Sequence, residues 1–193
     1  MNDRAIKVPA NYNSILESSN KIQFSMPSDL QTGSLLRTLV ASTPSARILE
    51  LGTGTGLSLA WIADALDENS QVISIDNSET YLNIARCYFA ENPQIEIICA
   101  DGDKWLQEYR GELFDLIFAD AWPGKYSSLD EALALLKQGG IYLIDDMLAQ
   151  PNWPEGHQEN VDKLISYLES REDLKLTQLE WSTGIVIVVK VLG

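Results

Sequence analysis

The sequence predicts a doubly wound α/β protein of one domain, and three observations carry that expectation. Short β-branched runs alternate with amphipathic helical segments from Arg47 onward, a glycine-rich turn follows the first run, and the last two runs are separated only by a short link containing Gly184. Strands alternating with helices are the pattern of a parallel sheet covered on both faces. A link of a few residues permits a hairpin but leaves no room for a crossover helix, so the final pair is antiparallel. The expected sheet is therefore mostly parallel and seven-stranded, with a C-terminal antiparallel hairpin.

The elements follow in order. Residues 1–45 hold an extended stretch around Met26 and Pro27 and then helical spacing at Leu35, Leu36, Leu39 and Val40, which reads as a lid and a covering helix over a core of residues 46–193. Strands are expected at Arg47–Leu51, Gln71–Asp76, Ile95–Ala100, Phe114–Asp120 and Ile141–Asp145. Leu59, Ile62, Ala63 and Leu66 form one apolar helical stripe, and Val161, Leu164, Ile165 and Leu168 another. Ser128 with Glu131 reads as a capping box, and Gly139 and Gly140 as the stop, of a helix from Ser128 to about Gln138. The hairpin strands are Leu174–Trp181 and Ile185–Val191.

Composition bounds the function. A chain of 193 residues, 45% hydrophobic, suits one sizeable core. Fourteen basic residues against 28 acidic ones give a net charge of −14, which repels phosphate backbones and anionic lipid surfaces and argues against nucleic acid and membranes as partners. Cys87 and Cys99 fall in a helical and a strand pattern without zinc-site or disulfide spacing, so buried, reduced thiols are expected. With no apolar run of signal-peptide or membrane-spanning length, the expected location is cytoplasmic.

The stretch Ile48–Ser58, ILELGTGTGLS, runs a strand into a glycine turn and then a helix. Glycines at 52, 54 and 56 permit tight turning and close approach of backbone N–H groups, and the helix N-terminus that follows favours a carboxylate. The zwitterionic tail of an amino acid fits such a corner. A pyrophosphate fits less well, because the third glycine of the dinucleotide fingerprint falls on Leu57. Asp76, closing the second strand, is placed to accept two ribose hydroxyls, and Asp101 in CADGD either accepts an adenine amino group or is a solvated turn acid.

These residues resemble the class I methyltransferases, a Rossmann-like fold, and within them the small cation-dependent O-methyltransferases of the catechol and caffeoyl-coenzyme A type. The likeness runs over nearly the whole chain from Met26, on ELGTGTGLS, FDLIFADAW and LALLKQGGIYLIDDM. It implies S-adenosylmethionine as cofactor, held by Glu50, Gly52, Thr53, Gly54, Gly56, Ser58, Asp76, Asp101, Gly102, Asp120 and Trp122, with Ser58 on the methionine carboxylate and Trp122 bordering the adenine. It also implies a divalent cation, magnesium or calcium, on Asp120, Asp145 and Asp146, which would activate the hydroxyl of a small-molecule acceptor. A homodimer paired through the N-terminal segment is a further implication.

Two positions depart from the family pattern: Asp146 replaces an asparagine, and Pro123 stands where the catalytic lysine is expected. Lys125 is the candidate replacement, with Asp120 as its catalytic partner. In the loop PNWPEGHQEN, Trp153 either faces an apolar or planar acceptor or packs between Pro151 and Pro154, and His157 is read as a capping or surface residue more readily than as a base. Besides O-methylation, two other functions fit the pattern: a cofactor-binding protein without transfer activity, suggested by Pro123, and an aminopropyl transferase, whose polyamine substrate would suit the acidic charge.

Overall fold

Apolar side chains alternate from one side of each central strand to the other, which is what a sheet buried on both faces requires. The computed structural model describes residues 2–150 and 153–192. In β1 (Arg47–Leu51), Leu49 and Leu51 enter one core while Ile48 enters the other. The same division runs through β2 (Gln71–Asp76), β4 (Phe114–Ala119) and β5 (Leu136–Ile144), with Ile73, Ile117 and Ile144 on the first side and Val72, Leu116 and Leu143 on the second.

The first core is closed by α5 (Gly102–Glu108), α6 (Leu129–Ala134) and α7 (His157–Ser170). Covering the second are α1 (Tyr12–Lys21), α2 (Leu30–Ala41), α3 (Leu57–Ala63) and α4 (Glu79–Phe89). Tyr12, Ile15, Leu36 and Val40 lie in that core beside Ile48 and Trp61, so the N-terminal helices share the sheet's packing. A Cβ on Gly33 would stand 2.3 Å from the Trp61 indole, and its absence lets α2 lie against α3.

With β3 (Ile95–Cys99), β6 (Leu174–Leu179) and β7 (Ile185–Lys190) included, the strand order is β3-β2-β1-β4-β5-β7-β6. The five strands from β3 to β5 are parallel, and β7 pairs antiparallel with both β5 and β6. This is the doubly wound, seven-stranded α/β sheet expected, closing hairpin included. Chain direction across the sheet reverses between β1 and β4, and ligands of open α/β sheets bind at such a switch point, outside the strands' C-terminal ends.

Three expectations are corrected. The helix predicted from Ser128 to Gln138 stops at Ala134, because Leu136 is fully buried and pairs with Phe114 as the start of β5. Nor does Ser128 form the capping box: it sits at φ 47° with no side-chain cap bond, and its hydroxyl meets Gln107 Nε2 at 3.4 Å instead. Both cysteines, expected to be buried, are exposed. Cys87 lies on the outer face of α4, whose buried residues are Leu82, Ala85 and Phe89.

Candidate active site

The glycine corner is built by steric demand. Gly52 has φ 106°, and a Cβ there would stand 2.7 Å from the carbonyl oxygen of Asp120; Gly54 has φ 52°, and a Cβ there would meet the Phe24 ring at 2.8 Å. Side chains are strained at these dihedrals, so β1 can turn into α3 this tightly only through glycine. Strand β2 fastens the corner, since the Ile75 carbonyl accepts from the N–H of Gly52 at 2.8 Å and of Thr53 at 3.2 Å.

Under the corner lies Glu50, fully buried. Its Oε2 accepts from Ser74, whose hydroxyl shares a 2.6 Å bond with Thr53 Oγ1, while Oε1 is buried without a hydrogen-bond partner. Burial pushes the Glu50 carboxyl up to about 7. An unpartnered buried carboxylate oxygen is costly, and the Ser58 hydroxyl offsets part of that cost by acting on the same carboxyl. Ser58 is buried in the first turn of α3. Cradle and orphan oxygen together suit the amino-acid tail of S-adenosylmethionine.

Beside the corner, a cavity of about 160 Å³ is lined by Leu51, Ile75, Asp76, Ala100, Trp122 and Pro123, with Gly52, Asn77 and Gly102 among the remaining wall residues. Asp76 accepts from Ser78 N at 2.8 Å and from Gly54 N at 2.9 Å, so the acid read as a ribose ligand also ties β2 to the glycine turn. Trp122 is 51% exposed, an unusual degree for an indole and one that leaves its face open to a ligand. Gly102 is close-packed against Pro123, whose ring would lie 2.9 Å from a Cβ at that position. Asp101 caps α5, accepting from Lys104 N at 2.9 Å, and is exposed and apart from the cavity wall.

The second cluster sits at the ends of β4 and β5. Ala119 pairs with Ile144, which brings Asp120 and Asp145 together at neighbouring strand ends. Asp120 Oδ2 accepts from Ser28 Oγ at 2.7 Å. Asp145, only 1% exposed, takes three donors on Oδ1: Thr32 Oγ1 at 3.2 Å, Thr183 Oγ1 at 2.5 Å and Asp146 N at 2.8 Å. Its Oδ2 is buried and unpartnered. Burial, and then the charge of Asp145, hold Asp120 well above the carboxylate range; burial pushes Asp145 up to about 6. Asp146 adopts φ 54°, a left-handed turn that aspartate tolerates better than most residues.

Lys125 lies in the turn after β4 and is 6% exposed, so this loop lysine is buried. His157 is likewise neither a surface residue nor the cap, which is Gly156. At 9% exposure its ring lies 4.4 Å from that of Trp153 and 5.0 Å from that of Tyr126, with Nε2 3.2 Å from the Tyr126 hydroxyl and Nδ1 unpartnered. Desolvation, followed by the charge of Lys125, lowers its pKa. Trp153 lies tilted against this histidine, the ring planes 54° apart; the reading that wedged it between two prolines involves Pro151, outside the described residues.

The donor set fits a divalent cation poorly. Such ions take about six or more oxygens in a tight shell. Here one oxygen of Asp120 and one of Asp145 are engaged by hydroxyl donors, and among the described residues no group of three His, Cys, Asp or Glu side chains is placed to hold a metal ion. Sequence reasoning missed those donors, Ser28, Thr32 and Thr183, and also missed Tyr126. Only the four-residue spacing of Ser28 and Thr32 at the start of α2 hints that two hydroxyls share a direction.

The profile of the O-methyltransferase family matches residues 14–191. Catechol O-methyltransferase B of Danio rerio is 29% identical over 135 residues, 65% of this chain and 51% of that protein. The O-methyltransferase hkm8 of Aspergillus hancockii is 36% identical over 127 residues, 62% of this chain and 50% of that one. The chain thus spans about half the length of these curated relatives. Two crystal structures share the fold: the O-methyltransferase TomG of Streptomyces achromogenes, in complex with S-adenosylmethionine, at TM-score 0.84 and 22% identity over 98% of this chain and 93% of that one; and the Bacillus cereus O-methyltransferase with S-adenosylhomocysteine, at TM-score 0.82 and 21% identity over 97% and 94%. By its sequence match across nearly its full length, and by the sheet and glycine corner described above, this chain belongs to the O-methyltransferase family.

Proposed function

We propose that this protein methylates a hydroxyl oxygen of a small molecule, using S-adenosylmethionine bound along the ends of β1, β2 and β4. The observation that carries this reading is the adjacency of two unlike sites. A glycine corner with an unpartnered carboxylate oxygen and a ribose-facing acid stands next to the strand-end acids Asp120 and Asp145, beyond which lie the rings of Trp122, Tyr126 and His157.

Gly52, Thr53, Gly54, Gly56 and Ser58 cradle the methionine end, with Glu50 beneath them; Asp76 takes the ribose, and Gly102, Trp122 and Pro123 wall the adenine. When bound, the cofactor supplies a sulfonium methyl group whose carbon bonds to the acceptor oxygen as the carbon–sulfur bond breaks and its electron pair stays on sulfur. The chain's part is to position that oxygen and receive its proton. Lys125 holds the oxygen as negative charge grows on it, and Asp120 takes the proton. Trp122 and Trp153 form an aromatic wall suited to a planar acceptor. No step is assigned to a divalent cation. Nor does the family match favour the readings of a binder without transfer or an aminopropyl transferase.

The test is incubation with the cofactor and a panel of phenols and catechols, read by mass for gain of one methyl. Calorimetric titration showing no cofactor binding would sink the proposal. The reading carries a cytoplasmic location and a homodimer paired through the N-terminal segment, which sedimentation would check. Among the described residues no helix is long and apolar enough to cross a membrane.

A further inference from the structure

Residues 3–8 are fastened against α2 and the β6–β7 link. Asp3 Oδ2 accepts from Gln31 Nε2 at 2.9 Å and from Trp181 Nε1 at 3.0 Å. Further along, Ile6 and Val8 pack on the second core, and Arg37 donates to the Lys7 carbonyl at 3.0 Å. Arg4 lies between these fastenings, so the fold sets its position although the residue is exposed.

This strap helps to wall a cleft of about 600 Å³, a size at which small-molecule sites are found. Ile6, Tyr12, Pro27 and Leu30 make much of the wall apolar. Ser28 and Thr183 also line it, and their hydroxyls bond Asp120 at 2.7 Å and Asp145 at 2.5 Å, so the cleft reaches the strand-end acids. Pro27 and Ser28 belong at the same time to the wall around Gly52 and Gly54. The cleft therefore adjoins both the glycine corner and the acids that face the acceptor hydroxyl, and no part of the cofactor has been assigned to it.

Arg4 is the one cation among the described residues of that wall. Among the described residues no carboxylate oxygen lies within 4.0 Å of its guanidinium. The acids closest to hand are already engaged: Asp3 by Gln31 and Trp181, and Asp29 by Gln31 N at 2.6 Å as the N-cap of α2. In a chain with 28 acidic and 14 basic residues, an arginine left without an acidic partner is open to an anion from outside. Its planar fork matches a carboxylate through two parallel hydrogen bonds.

We propose that this cleft holds the part of the acceptor remote from the methylated hydroxyl, and that Arg4 selects acceptors that carry a carboxylate there. The inference rests on the methyl-transfer reading for what the ligand is, and adds its charge class. A monoanion suits the cleft better than a phosphate dianion, because there is one fork and Asp29 in the same wall opposes a second negative charge. The net charge of −14 repels anions over the rest of the surface, so a preference for an acid over its neutral counterpart requires a local cation.

The probes are phenolic and catecholic acids with short side chains, each paired with its primary amide, alike in shape and different in charge. Calorimetric titration of protein saturated with S-adenosylhomocysteine, and of cofactor-free protein, reads binding without turnover. Each acid that binds should do so about tenfold tighter than its amide. Arg4→Gln should erase the preference by weakening the acid alone, and Arg4→Lys should keep part of it, since the charge stays and the fork is lost. Leu30→Trp, which fills the cleft, should weaken acid and amide alike. Equal binding of acid and amide by the wild type, a preference that survives in Arg4→Gln, full affinity in Leu30→Trp, or failure of every acid to bind would each overturn the inference. Methylation of neutral phenols without any acid preference would do the same while leaving the methyl-transfer reading in place; a protein that binds no cofactor strikes that reading, and the acid–amide comparison is still read.

Discussion

At the ends of β1 and β2 the site is made of backbone, whereas at the ends of β4 and β5 it is made of side chains from segments far apart in the chain. Gly52, Gly54 and Gly56 matter because of what they lack, and all three come from one continuous stretch. Asp120 and Asp145, by contrast, are held by Ser28, Thr32 and Thr183, which come from the N-terminal segment and the β6–β7 link. The first half depends on steric fit. The second depends on where the fold brings distant polar groups, and on how burial changes their charge.

The comparison would break most visibly at Gly52. Gly52→Val forces a branched side chain into a left-handed backbone against the Asp120 carbonyl, which should weaken cofactor binding by about 100-fold or more and cost about 2–4 kcal/mol of stability, read by calorimetry and urea unfolding. An unchanged dissociation constant would mean that the corner does not hold the cofactor.

Glu50 shows that the backbone half also contains one charge-sensitive element. Its folded pKa of about 7 lies above the ordinary glutamate value of 4.5, so across that window the folded protein keeps a proton that the unfolded chain has released. The stability associated with this proton is complete below the unfolded value and is lost as pH rises through about 7, a loss on the order of 3 kcal/mol. Asp145, raised to about 6, acts in the same direction over a narrower window. Unfolding followed from pH 5 to 8 should therefore decline less steeply for Glu50→Gln than for the wild type; parallel curves would refute the assignment.

Asp76→Ala should weaken cofactor binding by about 1–3 kcal/mol through lost ribose hydrogen bonds, while leaving the raised pKa of Asp145, followed by NMR titration, unchanged. If both readouts moved, the two halves would be coupled through the Gly54 bond to Asp76 and the comparison would need redrawing. The smallest effect belongs to Thr32→Val. It removes one of three donors to Asp145 Oδ1 and should cost about 1 kcal/mol of stability, with cofactor affinity intact.

What could be read in advance follows the same division. Arg47–Leu51 and Gln71–Asp76 were legible to the residue because β-branched runs end sharply at glycine or acid, and the hairpin because so short a link leaves one geometry. The helix after Ser128 was overextended because Leu136 and Lys137 have helical propensity, whereas their real partners, Phe114 and Asp115, lie more than twenty residues earlier. Lys125 and His157 looked like surface residues for the same reason: local sequence does not record that a turn is pressed onto a sheet or that a histidine is enclosed by aromatic rings.

By itself the sequence determined the strand-and-helix order, the glycine corner and the acids that close β2, β4 and β5, because periodicity and backbone sterics act over a few residues. The tertiary structure alone decided that Ser28, Thr32 and Thr183 hold the two strand-end acids and that Lys125 is buried. Burial and electrostatic partnership are properties of three-dimensional neighbours, and those neighbours exist only once the sheet has brought distant segments together.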